Sequence, residues 1–155
     1  MEARVYPVAN LCSFLAGRWD IDRRIVDGPG HAGHYVGVAW FQPQDNALRY
    51  EERGRLRLGS QEVSARRGLC LRLHGDGQAD VAFADGNPFH RLDLRSGCWH
   101  VTHDCGADRY LGSYVVLSPS VWETTWTISG PDTETRLSSV YRRAAGVRPE
   151  RLSPR

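Results

Sequence analysis

The sequence predicts an all-β protein, an antiparallel barrel of about eight to ten strands entered through one short helix. Three observations predict it. Hydrophobicity alternates with a period of two along most of the chain. Clusters of Gly, Pro, Asp and Asn recur at strand-length spacing. Faces that should point inward carry polar side chains among apolar ones, which a dry sandwich core about 10 Å thick does not tolerate but a barrel enclosing a ligand or water does. No helical pattern long enough for a crossover is present, so the strands run antiparallel.

The elements follow in order. Residues 8–16 follow Pro7 and stop at Gly17, with apolar side chains at 8, 11, 12, 14 and 15 on one face of a short helix. From Trp19 the period becomes two, with Trp19, Ile21, Arg23 and Ile25 on one face and Asp20, Asp22 and Arg24 on the other. A turn at Asp27–Gly30 leads to a strand over about 33–42, whose Tyr35, Gly37, Ala39 and Phe41 share a face. After a loop over Pro43–Ala47 comes the cleanest alternation. Leu48, Tyr50, Glu52, Gly54, Leu56 and Leu58 oppose Arg49, Glu51, Arg53, Arg55 and Arg57, which puts Glu52 on the inner face.

The strand over about 62–73 places Arg67 among inward Val63, Ala65, Leu69 and Leu71. A hairpin at His74–Gly77 opens a strand through Val81 and Phe83 to Asp85, and a second turn precedes Phe89–Leu94. Trp99–Asp104 and Tyr110–Leu117 form a hairpin, as do Trp122–Ser129 and Thr135–Arg143. Residues 1–146 make one domain, and residues 147–155 read as a loose tail.

Composition excludes several functions. The net charge of +2 is small and both signs are interspersed, so nucleic acid is not an expected partner. All 20 basic residues are arginine, which removes Schiff-base chemistry and the P-loop lysine. Cys12, Cys70, Cys98 and Cys105 show no Cys-x-x-Cys spacing, and the N-terminus carries neither a signal peptide nor a membrane span. A cytoplasmic monomer or homodimer with free thiols, bound to no membrane, is expected.

The segment Phe14-Leu-Ala-Gly-Arg-Trp19 resembles the start of lipocalin-like (calycin) proteins, in which a short helix enters a first strand marked Gly-x-Trp. The resemblance implies that Trp19 closes the bottom of the barrel and that an arginine from Val140-Tyr-Arg-Arg143 packs across its ring. Phe83-Ala-Asp-Gly followed by Phe89-His90, and His103-x-Cys-Gly-x-Asp-x-Tyr110, are similar to an uncharacterised family of short bacterial lipocalin-like proteins. That likeness spans about residues 14–143 and implies a fold and a small-molecule-binding role.

The candidate site collects chemistry-bearing side chains on the inner faces. Glu52, His103, Tyr110 and Asp85 are the candidate acid–base groups. Arg23, Tyr35, Tyr50, Arg67, Phe83, His90, Cys105, Tyr114 and Trp126 are candidate ligand contacts. Two roles stay open for Arg23, Glu52, Arg67 and Asp85. They form either a structural ion-pair network or a catalytic set in which an apolar pocket raises the Glu52 pKa and an arginine meets developing negative charge.

His100 and His103 point to opposite faces of a strand and do not share a metal, so no metal site is assigned. A haem held by His90 or His103 is a minority alternative to a cofactor-free site. The leading expectation is a barrel that binds a small, largely apolar or aromatic molecule and catalyses cofactor-free isomerisation or cyclisation. The alternative is a non-catalytic carrier or sensor of a small ligand or haem.

Overall fold

A computed structural model describes residues 4–143. The tail expected beyond residue 146 lies outside the described residues. The helix α1 (Leu11–Leu15) is capped by Asn10, whose Oδ1 accepts from the Ser13 amide at 2.9 Å, and Leu11 and Leu15 are its buried residues. Ten strands follow: β1 (Gly17–Asp27), β2 (His31–Gln44), β3 (Ala47–Leu58), β4 (Gln61–His74), β5 (Gln78–Phe83), β6 (Pro88–Asp93), β7 (Cys98–Cys105), β8 (Asp108–Ser118), β9 (Val121–Ser129) and β10 (Glu134–Arg142). The expected all-β antiparallel lipocalin-like barrel with a short N-terminal helix is what the chain forms.

The strands make one antiparallel sheet in the order β6-β5-β4-β3-β2-β1-β10-β9-β8-β7. Its two ends, β6 and β7, approach each other without ladder pairing among the described residues. Side chains close that seam instead. The Trp99 indole of β7 donates to the Arg91 carbonyl of β6 at 2.7 Å. Phe89 of β6 stacks on Trp126 at 5.1 Å and meets His103 edge-on at 5.3 Å. This aromatic closure covers two strand edges that would otherwise present unpaired backbone groups.

The bottom of the barrel is sealed by α1 and the segment before it. Val8 donates to the Leu94 carbonyl at 3.0 Å and Leu11 to the Asp76 carbonyl at 2.6 Å. Trp19 is fully buried there, and the Arg143 guanidinium lies 4.1 Å from its ring centroid while donating to the Ala16 and Phe14 carbonyls. That is the Trp–Arg closure the resemblance implied. The guanidinium satisfies helix-end carbonyls and covers the indole face at once.

Two elements end differently from the expected pattern. Asp85 does not continue β5: the strand stops at Phe83, and the exposed Asp85 carboxylate accepts from the Asn87 amide at 2.9 Å and from Asn87 Nδ2 at 3.0 Å. An Asx-type turn has won over strand extension, because Gly86 takes a φ of +91°. Cys105 falls on the inner-face parity of β7 but is exposed, because it lies at the hairpin tip, paired with Asp108 beyond the barrel rim. Neither residue belongs to the interior.

The tightest approach in the wall is between β2 and β3. A Cβ on Gly54 would sit 2.7 Å from the Gly37 Cα and against the Val36 carbonyl, so both positions require glycine. Gly54→Ala is expected to cost about 2–3 kcal/mol in urea denaturation. Gly68→Ala, whose Cβ would meet the Tyr50 carbonyl at an ordinary 3.5 Å, is expected to stay within about 0.5 kcal/mol of the parent. Equal costs at both positions would contradict this account of wall closure.

Candidate functional site

Inside the barrel, inward side chains of every strand but β7 leave a cavity of about 60 Å³ open to the centres of water-sized molecules. For a compact shape this means on the order of 200 Å³ of molecular volume, the scale of one or two aromatic rings. The walls are mainly Tyr50, Tyr114, Trp122 and Trp126 with Leu69, Leu71, Val81 and Leu92, and Leu15 lies at the bottom. Trp126 is placed by Gly112 of β8, since a Cβ there would lie 2.6 Å from the indole ring. Trp122 stacks flat on Tyr141, with centroids 3.8 Å apart and planes 1° from parallel.

One flank of the cavity is a polar network. Arg23 of β1 reaches across β2 to Glu52 of β3, with Nη1–Oε2 at 2.7 Å and Nη2–Oε1 at 3.1 Å. Arg23 Nε also donates to Ser139 Oγ at 2.7 Å, and Nη2 donates to the Tyr141 hydroxyl at 3.1 Å. The Tyr50 hydroxyl donates to Glu52 Oε1, so it must accept from Tyr141, 3.2 Å away. Protons thus run in one direction, from Arg23 and Tyr141 through Tyr50 to Glu52. Tyr35 packs under the guanidinium, which lies 5.1 Å from its centroid.

Glu52 is the carboxylate at the centre of this network. Burial alone would push its carboxyl up, but the hydrogen bonds and charge of Arg23, helped by Arg67 and Tyr50, bring it below its ordinary 4.5. Glu52 is 3% exposed and is not on the cavity surface. It is the carboxylate half of a buried ion pair with Arg23, which is one of the two roles the sequence left open for it. Burial also works against the Arg23 charge, and the Tyr141 and Glu52 oxygens more than offset it. Burial pushes the Tyr50 hydroxyl up and the Tyr35 hydroxyl up to about 12.

On the opposite wall His90 and Tyr114 form a pair. A β-bulge between Val81 and Ala82 of β5 makes Phe89 the extra residue of β6, so Phe89 and His90 both turn to the interior. His90 Nδ1 lies 2.7 Å from the Arg91 carbonyl and must carry the proton; Nε2 then accepts from the Tyr114 hydroxyl at 3.2 Å. Both ring nitrogens are engaged within the protein. Burial, offset in part by the Arg91 carbonyl, lowers its pKa to about 4, so it is neutral at physiological pH. Burial likewise pushes the Tyr114 hydroxyl up.

The remaining candidates divide by depth. Arg67 of β4 is on the cavity surface and is its one exposed residue, which places it at the mouth. His103, Tyr110 and Phe83 pack with Phe89 in the seam cluster and do not line the cavity. His100 is exposed on the outer side of β7. Trp122, Thr124, Ser139 and Tyr141 also line the cavity and are not among the candidates drawn from the sequence. Alternation over Trp122-x-Thr124-x-Trp126 and Leu137-x-Ser139-x-Tyr141 carries the signal that would have found them.

A family model matches residues 15–143. The chain belongs to the DUF6314 family, a family of unknown function. No curated protein matches the sequence. Among solved structures, this DUF6314 barrel is similar to the S-type phycobiliprotein lyase CPES from Guillardia theta, with a TM-score of 0.57 at 8% identity over 84% of this chain and 88% of that one. A redesigned β-barrel, mFAP1, bound to DFHBI, gives a TM-score of 0.45 at 15% identity over 85% of this chain and 97% of the other. At 8% identity the likeness to the lyase is one of fold. Among the described residues, no helix is long and apolar enough to cross a membrane.

The His90 shift carries a sign. Its folded pKa lies below the ordinary 6.5, so between about 6.5 and about 4 the unfolded chain binds a proton that the folded chain refuses. Stability is therefore expected to fall as pH drops through that window and to lose nothing more from this group below it. Urea denaturation across pH should show this limb, and His90→Gln should flatten it. A His90 ring that titrates near 6.5 by NMR in the folded protein would contradict the assignment.

Proposed function

We propose that this DUF6314 barrel binds a small, flat, largely aromatic molecule in its interior. The observation that carries the reading is the cavity itself, walled by Tyr114, Trp122 and Trp126 beside a polar flank whose Arg23 and Glu52 charges are already paired with each other. Aromatic walls favour offset-stacked or edge-on partners over flexible chains. The cavity volume limits the ligand to one or two fused rings unless it extends through the mouth. The likeness to the lyase supports the barrel and adds nothing about its contents.

One detail supports a ligand with a hydrogen-bond acceptor. Ser139 Oγ accepts from Arg23, so its own hydrogen is free to donate.

Binding is favoured over turnover. The isomerisation or cyclisation expected from the sequence needs a group whose proton moves near neutral pH. Glu52 is held ionised away from the cavity surface, His90 is held neutral, and burial keeps Tyr114 protonated. The carrier or sensor alternative therefore fits the cavity better than the acid–base alternative.

Titration with 2-naphthalenemethanol, a neutral two-ring probe, is expected to give saturable quenching of tryptophan fluorescence. Trp126→Leu should weaken binding by about tenfold, in keeping with the loss of one stacked aromatic face. An absence of saturable binding, or an affinity indifferent to Trp126→Leu, would overturn the proposal.

A further inference from the structure

We infer that the ligand carries a carboxylate and that Arg67 holds it at the mouth of the cavity. This rests on the binding proposal above and names the chemistry of the molecule it takes.

Arg67 differs from every other charged group near the interior. On β4 it is the cross-strand neighbour of Glu52 on β3, the nearest position from which a carboxylate could answer it. Both Glu52 oxygens are taken by Arg23, and Oε1 also accepts from Tyr50. Arg67 therefore makes no ion pair and no side-chain hydrogen bond among the described residues, whereas the outward arginines 55 and 57 share Glu62. The cavity surface includes two arginines and no carboxylate. Glu52 neutralises Arg23, which leaves one uncompensated positive charge facing the space.

The fold places that charge where a ligand enters. β5 ends at Phe83, opposite Leu69, so the edge of β4 is unpaired at Arg67 and the wall opens beside it. Arg67 is near enough to His90, Tyr114 and Glu52 for its charge to bear on all three, so it stands over the cavity from the β4 side. A guanidinium at an apolar, aromatic mouth pairs with a planar two-oxygen anion in a bidentate fork. The rings would then lie against the cavity wall that Tyr114, Trp122 and Trp126 form, with the anion outermost.

The experiment is isothermal titration calorimetry of the full chain with 2-naphthoate and with 2-naphthalenemethanol, which share a ring system and differ in charge. The native protein is expected to bind the carboxylate at least tenfold more tightly. Arg67→Gln should bring the two affinities together, and Arg67→Lys should keep part of the preference as a point charge without the fork. Equal affinities in the native protein, or a preference that survives Arg67→Gln, would overturn the inference while leaving the binding proposal standing. If neither compound binds, the binding proposal fails and this inference with it. The native comparison needs no variant, so an unstable Arg67 variant does not remove the test.

Discussion

The buried pair of Arg23 and Glu52 is the interaction on which the interior depends. Desolvating two charges costs several kcal/mol each, and attraction alone restores this only when the geometry is close and the remaining hydrogen-bonding groups are satisfied. Here the bidentate contact is supplemented by Ser139, Tyr141 and Tyr50, so the guanidinium nitrogens and the carboxylate oxygens are all engaged. The groups come from β1, β3 and β10, and the pair therefore ties together strands that are not all neighbours in the sheet. Removing one partner would leave the other charged and buried; replacing both with apolar groups would be far milder.

The pair also decides what the cavity is. Tyr50 and Tyr141 are held by their hydroxyls to the charges and present their rings to the space, and Trp122 lies flat on Tyr141. The aromatic wall is thus oriented by a polar network behind it. On the other side, the seam between β6 and β7 is closed by Phe89, His103 and Trp126, with His90 anchored between the Arg91 carbonyl and Tyr114. The segment Trp99–Tyr110, dense in reactive side chain types, serves chiefly as one flank of this seam. Its Trp99 bridges strands, its His103 packs edge-on, and its Cys105 lies beyond the rim.

Much of this was legible in the sequence, and the reasons for the rest are physical. Period-two alternation identified the strands and put Arg23, Glu52, Arg67, Tyr50, Tyr114 and Trp126 on inner faces, where they are. It also put Asp85 inside, because alternation does not say where a strand stops; a side chain that caps its own turn ended β5 two residues early. Cys105 has the right parity at the wrong height, which depends on where the rim falls. The partner of Glu52 was not legible. Arg67 faces it across one ladder, but Arg23, two strands away, has the reach and the better hydrogen-bond geometry. The bulge at Phe89 breaks the alternation, so Phe89, which strict alternation puts on the face opposite His90, turns inward beside it.

The central claim is that the inner carboxylate is structural and ionised, leaving Arg67 as the uncompensated charge. Carbon-13 NMR of a side-chain-labelled protein, following the Glu52 carboxyl across pH, tests it most directly. The account predicts a carboxylate that stays ionised as pH falls through 4.5 and takes up its proton only below that value. A midpoint above about 6, where a general base tuned for neutral pH would titrate, would contradict it.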